Sequence, residues 1–299
     1  MRVLITGATG FVGQHLVKRL TERHDLLCLV RKPYQELPKL RGCKILFADL
    51  AYPLEPSLLD FSDNLDAIVH LAETKVTFPD KAREFFAGST TSTLELLEYG
   101  RKAGIKSFIY ASSGSLYGFG TRQFREDSDL QIKDFYTVSK MCAELLVGTY
   151  KDFFNTHILR MFFPYGPGQR GRRIPMIAGR VLCGQPVDLV NEGQPCINPI
   201  YVGDLVELIE RALSVQGNHI VNVAGDEEIS MLNIAELIGE LADKKPLFNY
   251  ATDPFMSDLV ANNELMHQLY GVKKNGLTPL REGLRAVVKD MISIQGNMI

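Results

Sequence analysis

Residues 3–13 read Val-Leu-Ile-Thr-Gly-Ala-Thr-Gly-Phe-Val-Gly, and no other stretch limits the fold so tightly. An apolar strand-like run ends in three glycines, and a helical pattern follows at once. Gly7, Gly10 and Gly13 let the backbone turn sharply and lie close to a ligand. The helix behind them presents unbonded N–H groups and the positive end of its dipole. Strand, glycine turn and helix N-terminus in that order make an anion cradle suited to a dinucleotide pyrophosphate. The spacing is GxxGxxG rather than GxGxxG.

The rest of the chain is patterned to match. Nearly continuous apolar runs at 3–6, 26–30, 44–48, 67–71, 107–111 and 156–160 read as strands buried on both faces. Amphipathic stretches at 13–23, 81–103 and 136–154 read as the helices between them. Such alternation predicts an α/β fold: a doubly wound parallel Rossmann-type sheet with right-handed crossovers. After Arg160 the texture changes. Residues 163–173 are rich in Gly, Pro and Arg and read as a loop. Helices are predicted over 174–183, 201–213, 228–241 and 280–292, and strands over 187–190 and 220–224. The expected division is a dinucleotide-binding domain over 1–165, with 198–225 returning to it. A smaller mixed substrate domain then takes 166–197 and 226–299.

Composition narrows the function class. A formal charge of −2 leaves no basic excess for nucleic acid or an anionic membrane. Five cysteines without CxxC spacing read as reduced thiols, and six scattered histidines suggest no metal site. No apolar run reaches membrane-span length, and no leader peptide is expected. These features predict a cytoplasmic protein whose partner is a small molecule.

Two further features assign chemistry. The second strand ends in Arg31-Lys32, where an acidic residue would hold the ribose hydroxyls of NAD. Cations there favour the 2′-phosphate of NADP, so NADP is the expected cofactor and NAD the alternative. Residues 107–118, Ser-Phe-Ile-Tyr-Ala-Ser-Ser-Gly-Ser-Leu-Tyr-Gly, form a strand ending in hydroxyls, and Tyr136 stands four residues before Lys140. On a helix those two share a face. A lysine ammonium beside a phenol favours its ionised form. A strand-end serine could hydrogen-bond a substrate oxygen in the crevice where such sheets bind ligands. The set suits proton transfer on an alcohol or ketone while a nicotinamide moves hydride.

With those residues in place, the chain resembles the extended short-chain dehydrogenases/reductases, also called NAD-dependent epimerase/dehydratases. The similarity runs through residues 6–13, Asp49-Leu50, His70-Leu71-Ala72, residues 112–118, residues 136–140, Leu159-Arg160, residues 164–168 and residues 198–205. It implies that Gly7, Gly10, Phe11, Val12 and Gly13 hold the pyrophosphate and that Arg31 sits at the adenosine ribose. Asp49 and Leu50 would contact adenine, and Leu71, Ala72 and Lys75 would line the cofactor. Tyr136 would transfer the proton, and Lys140 would hold the nicotinamide ribose and tune Tyr136. Ser113 matches the catalytic hydroxyl, with Ser112 and Ser115 as alternatives. Phe162 and Pro164 would lie near the nicotinamide. The helices around 81–103 and 136–153 resemble those that pair in a homodimer's four-helix bundle.

The departures bear on substrate. Dehydratases of this family carry an Asp-Glu pair where this chain has Gly114-Ser115, which argues against 4,6-dehydration. Nucleotide-sugar enzymes carry an Asn where Phe163 stands and an Arg where Ile197 stands, so two expected diphosphate ligands are missing. Arg170, Arg172 and Arg173 are candidates to replace them. Ser89 stands where an Asn is expected. His70 and Tyr117 read as packed residues, Asp204 as a helix cap, and residues 122–129 as a solvated loop or flap. The resulting expectation is an NAD(P)-dependent epimerase or dehydrogenase/reductase acting on a secondary alcohol or ketone, with a sugar or nucleotide-sugar as one candidate substrate. The alternative is a non-catalytic NAD(P)-binding sensor.

Overall fold

The computed structural model describes residues 1–31, 40–52, 54, 64–74, 78–120, 123–253 and 257–296. It divides into two compact units. One comprises residues 1–116, 130–160 and 206–221, the other residues 117–129, 161–205 and 222–299.

The first unit is built on a seven-stranded sheet. Its strands are β1 (Arg2–Thr6), β2 (Asp25–Val30), β3 (Lys44–Phe47), β4 (Ala67–His70), β5 (Ser107–Ser113), β6 (Asn155–Met161) and β9 (Asn218–Val223), in the order β3-β2-β1-β4-β5-β6-β9. The β1–β2, β1–β4, β2–β3 and β4–β5 pairs are parallel. Order reverses between β1 and β4, the switch point at which doubly wound sheets bind ligands. This is the Rossmann-type sheet expected from the alternation of apolar runs.

Burial follows the strand period. Leu4, Leu27, Leu29, Ile68, Phe108, Tyr110 and Ile158 pack with Leu96, Leu97, Ala143 and Val147 in one core. Those last four lie on α3 (Ser92–Ala103) and α4 (Phe135–Thr149). Intervening residues such as Val3, Ile5, Cys28, Val69 and Ile109 are equally buried, as a sheet covered on both faces requires. Helix α1 (Phe11–Leu20) buries Leu16, Val17 and Leu20. Its Arg19 pairs at 2.5 Å with Glu210 of α6 (Val202–Ala212). The predicted helix over 81–103 is interrupted. A short α2 (Ala82–Phe86) passes into a π turn over Ala87–Thr91 before α3 begins. Gly104 closes α3 in the left-handed conformation. At α4, Asp134 accepts the Thr137 N–H at 2.7 Å, and the Thr137 hydroxyl reaches back to the Asp134 N–H. This reciprocal cap starts the helix one residue before Tyr136.

The second unit packs α5 (Arg173–Leu182), α7 (Met231–Ala242) and α9 (Leu280–Gly296) around Ile177, Val181, Ile234, Ile238, Leu284 and Val287. It carries two small sheets. One pairs β7 (Pro186–Val190) in parallel with β11 (Leu247–Ala251). The other pairs β8 (Cys196–Ile197) with β10 (Ile229–Ser230). Strand β11 and helix α8 (Glu264–Tyr270) have no counterpart in the sequence-based expectation. Helix α7 starts three residues later than expected because Ile229 and Ser230 are taken by β10, and Ser230 caps it. Helix α6 starts at Val202, so Asp204 is its third residue rather than its cap. Its carboxylate accepts Thr278 N at 2.9 Å and Thr278 Oγ1 at 3.0 Å. The described part of 122–129 is a loop with Gln123, Arg125, Asp127 and Asp129 exposed, as expected, and it is tied down at two points. Phe124 N donates to Val260 O at 2.8 Å, and Asn222 N donates to Glu126 Oε1 at 2.9 Å.

Candidate functional site

The glycine turn is as tight as its composition requires. Gly7 has φ +71°, and a Cβ there would lie 2.7 Å from the Leu71–Ala72 peptide. A Cβ on Gly13 would collide with Gly7 O. Gly10 is the N-cap of α1, with extended φ and ψ and no side chain to bond the first helical N–H groups. Phe11, Val12 and Gly13 therefore begin a helix whose terminal donors no capping side chain occupies. That is a fit for a pyrophosphate: a backbone cradle that any β-carbon would fill, at the positive end of a helix. Leu71 N donates to Thr6 O at 3.3 Å, and Ala72 N donates to Thr6 Oγ1 at 3.1 Å, which ties the end of β4 beside the turn.

Arg31 directly follows β2, is exposed, and makes no ion pair among the described residues. Asp49 follows β3, and its Oδ1 accepts Ala51 N at 3.0 Å. Leu50 packs against the first unit's core. Lys75 and Lys32 lie outside the described residues.

The hydroxyl, phenol and ammonium come from β5 and α4. The Lys140 side chain is 6% exposed. Its Nζ donates to Ala111 O at 2.8 Å and pairs with Glu73 Oε1 at 3.1 Å. It stands 5.1 Å from the Tyr110 ring centre and 5.9 Å from that of Tyr136. Burial opposes its charge, but Tyr110, Glu73 and Tyr136 outweigh that penalty, so its pKa lies above the ordinary lysine value. Ser113 is two residues past Ala111 on the same strand, roughly 7 Å further along at strand rise. Its Oγ donates to Ser115 Oγ at 2.9 Å and accepts Ser115 N at 3.1 Å, and the residue stays partly exposed. Ser112 is sequestered: it is 5% exposed and its hydroxyl donates to Glu144.

Behind these groups sits a buried ion pair that the sequence pattern alone did not single out. Arg160 of β6 grips Glu144 of α4 through Nε at 3.1 Å and a terminal nitrogen at 2.8 Å. The spacing held the signal, since Tyr136, Lys140 and Glu144 follow one another at four-residue steps on one helix face. Glu73 was also missed, and its ion pair is a tertiary event with no local pattern. His70 is a packed residue, as expected. Its ring nitrogens meet Thr6 Oγ1 at 2.7 Å and Thr93 Oγ1 at 3.1 Å, and burial together with the Lys140 charge drives its pKa down to about 3. Ser89 is buried in the π turn, and its Oγ has no hydrogen-bond partner among the described residues.

Phe162 and Pro164 belong to the second unit. The Phe162 ring is buried and stacks on Tyr117 at 6.0 Å, and Pro164 O accepts Gln169 Nε2 at 2.6 Å. Tyr117 is packed as expected, its hydroxyl donating to Asn222 Oδ1 at 2.8 Å. Ile197 is fully buried in β8, and Phe163 packs on the same core. Arg170 is committed to Asp290 at 3.0 Å. Arg172 and Arg173 are exposed at the start of α5 and make no ion pair among the described residues. No group of three metal-ligating side chains occurs among the described residues, and no described helix is long and apolar enough to cross a membrane.

Comparison with known proteins agrees with this architecture. The model of the NAD dependent epimerase/dehydratase family matches residues 3–224. An uncharacterized UDP-glucose epimerase, YtcB of Bacillus subtilis (strain 168), is 27% identical over 308 residues, covering 95% of this chain and 96% of that protein. The dTDP-D-glucose 4,6-dehydratase of Bos taurus is 26% identical over 314 residues, covering 96% of this chain and 88% of that one. Among solved structures, MoeE5 in complex with UDP-glucuronic acid and NAD superposes with a TM-score of 0.85 at 26% identity, covering 98% of this chain and 100% of that one. The chain belongs to the NAD dependent epimerase/dehydratase family.

Proposed function

We propose that this enzyme is an NAD(P)-dependent epimerase of a nucleotide sugar, working by proton transfer through Tyr136. The carrying observation is the fixed Lys140 ammonium. It is buried, bonded to the Ala111 carbonyl on the strand that ends in Ser113, and set beside the Tyr136 ring on the same helix face. In this reading Tyr136 takes the proton from a secondary hydroxyl and returns it to the ketone oxygen. The Ser113 hydroxyl holds that oxygen, and Lys140 stabilises the phenolate that accepts the proton and is restored when the proton is given back. The bound nicotinamide supplies hydride acceptance and return. Likeness to an epimerase and likeness to a 4,6-dehydratase span the chain almost equally, and the epimerase form is adopted because no carboxylate stands at Gly114-Ser115.

The uncapped turn at Gly10–Gly13 and the strap at Leu71-Ala72 support dinucleotide binding in the first unit. Arg31, exposed and without an ion pair among the described residues, supports the 2′-phosphate of NADP; the NAD held by MoeE5 supports the unphosphorylated form in that relative. Arg172 and Arg173 stand in for the diphosphate-binding Asn and Arg whose positions Phe163 and Ile197 occupy, at a helix N-terminus that favours anions. Gly114 and Ser115 follow Ser113 without a carboxylate, which supports epimerisation over 4,6-dehydration. A homodimer is supported by the exposed apolar side chains Leu94, Val138, Leu145 and Phe153 on and beside α3 and α4.

The test is turnover of UDP-glucose, with NAD or NADP added, by wild type and by Tyr136→Phe. The variant should bind dinucleotide but lose at least about a hundredfold in rate. An epimer formed without net change in nicotinamide absorbance supports epimerisation. A stoichiometric change makes the enzyme a net dehydrogenase or reductase, and a 4-keto-6-deoxy product makes it a dehydratase. Equal rates for the two proteins remove Tyr136 from the reaction.

A further inference from the structure

Lys140 has a partner that the Ser113, Tyr136 and Lys140 reading does not use. Glu73 belongs to the segment that leaves β4, and its carboxylate is 3.1 Å from Lys140 Nζ while its side chain is 30% exposed. The described residues on either side of it are closely packed. Leu71 and Ala72 lie against the glycine turn, within 2.7 Å of where a Gly7 Cβ would stand. Thr74 lies against the π turn, where its Oγ1 would collide with a Cβ on Gly88. The carboxylate thus reaches the ammonium from a residue whose described neighbours on both sides lie in close contact with the first unit.

We propose that Glu73 is a positioning residue that sets, through Lys140, the pH at which Tyr136 ionises. This rests on the reading of Tyr136 given above. An ammonium alone beside a phenol pulls its ionisation toward neutral pH. A carboxylate on the same ammonium cancels part of that field and opposes the phenolate directly. Tyr136 then keeps its proton to higher pH than Lys140 alone would allow, which matches a group that must donate as well as accept. Among the described residues, the ionisable groups facing Lys140 are Glu73 after β4, His70 at the end of β4, Tyr110 on β5 and Tyr136 on its own helix. His70 is neutral above about 3, and burial pushes Tyr110 up to about 12. At neutral pH both are therefore uncharged, and the Glu73–Lys140 ion pair supplies the field in which Tyr136 titrates.

The experiment uses the whole chain without dinucleotide or substrate. Phenolate absorbance is titrated in wild type and in Glu73→Gln, each minus the same protein carrying Tyr136→Phe, so that only Tyr136 remains in the difference. Glu73→Gln should lower the Tyr136 midpoint by about one pH unit. Glu73→Ala should do the same and serves as the second variant if the first does not fold. Glu73→Asp, which keeps the charge, should return most of the shift. An unmoved or raised midpoint in the charge-removing variants overturns the proposal. UDP-glucose turnover by Tyr136→Phe separates the two ideas. Retained turnover with a shifted midpoint removes Tyr136 from catalysis but leaves the electrostatic coupling. Lost turnover with an unshifted midpoint removes Glu73 alone.

Discussion

Replacing Glu144 by Gln keeps the size of the side chain and removes one charge from the pair with Arg160. The two side chains are 3% and 4% exposed, and the guanidinium contacts both carboxylate oxygens. The variant leaves a cation stranded between β6 and α4, and Ser112 loses its ionised acceptor. Removing one partner of a buried pair costs about 3–5 kcal/mol, mostly because the remaining charge stays desolvated. For a unit of roughly 160 residues, each kcal/mol shifts a melting temperature by about 2–4 °C, so the loss should be roughly 6–20 °C. Calorimetry and urea unfolding of Glu144→Gln measure it. The Glu144→Leu, Arg160→Met double variant supplies the decisive comparison, because it removes both charges and keeps apolar volume. It should be more stable than the single variant. A loss under about 1 kcal/mol for Glu144→Gln, or a double variant as unstable as the single one, would refute the charge argument and leave packing as the cause.

Gly13→Ala should abolish measurable dinucleotide binding and destabilise the first unit, because its Cβ would meet the Gly7 carbonyl rather than a movable side chain; equilibrium dialysis with NADH and NADPH checks this. Arg31→Ala should weaken NADP binding about tenfold, the worth of one charge-assisted contact, and leave NAD unchanged; titration calorimetry with both dinucleotides decides it. The Arg172→Ala, Arg173→Ala double variant should raise KM for UDP-glucose several-fold with little change in kcat, as expected when uniform binding is lost. His70 bears on acid stability. Its folded pKa, about 3, lies below the unfolded 6.5, so the unfolded chain binds more protons between those values. The contribution of His70 is fully present above 6.5 and is lost progressively as pH falls toward about 3. His70→Gln should flatten the stability–pH curve in that window, and an unchanged slope would remove His70 from the account.

The first unit was legible because its strands are buried on both faces, and burial writes itself into sequence as unbroken apolar runs such as Leu26–Val30. The second unit was less so. Strand β11 (Leu247–Ala251) is exposed along most of its length, so no burial pattern marked it. Helix α8 spans only two turns of mixed polarity. The π turn at Ala87–Thr91 changes hydrogen-bond register without changing apolar spacing enough to notice. In the candidate site, Ser113, Tyr136 and Lys140 were visible from order and spacing. Glu73 was not, because nothing local distinguishes a carboxylate that will meet an ammonium far along the chain from one that will face water. Asp204 misled for a related reason: an acid near a helix start resembles a cap, yet this one serves Thr278.

The placement of β9 at the end of the sheet carries a consequence for the chain during its own synthesis. The strand beside it, β6, is complete by Met161, while β9 begins only at Asn218. Until those later residues emerge, β6 presents an unpaired row of backbone donors and acceptors to the medium. A nascent chain, or a product truncated before Asn218, therefore exposes a ready template for intermolecular strand addition.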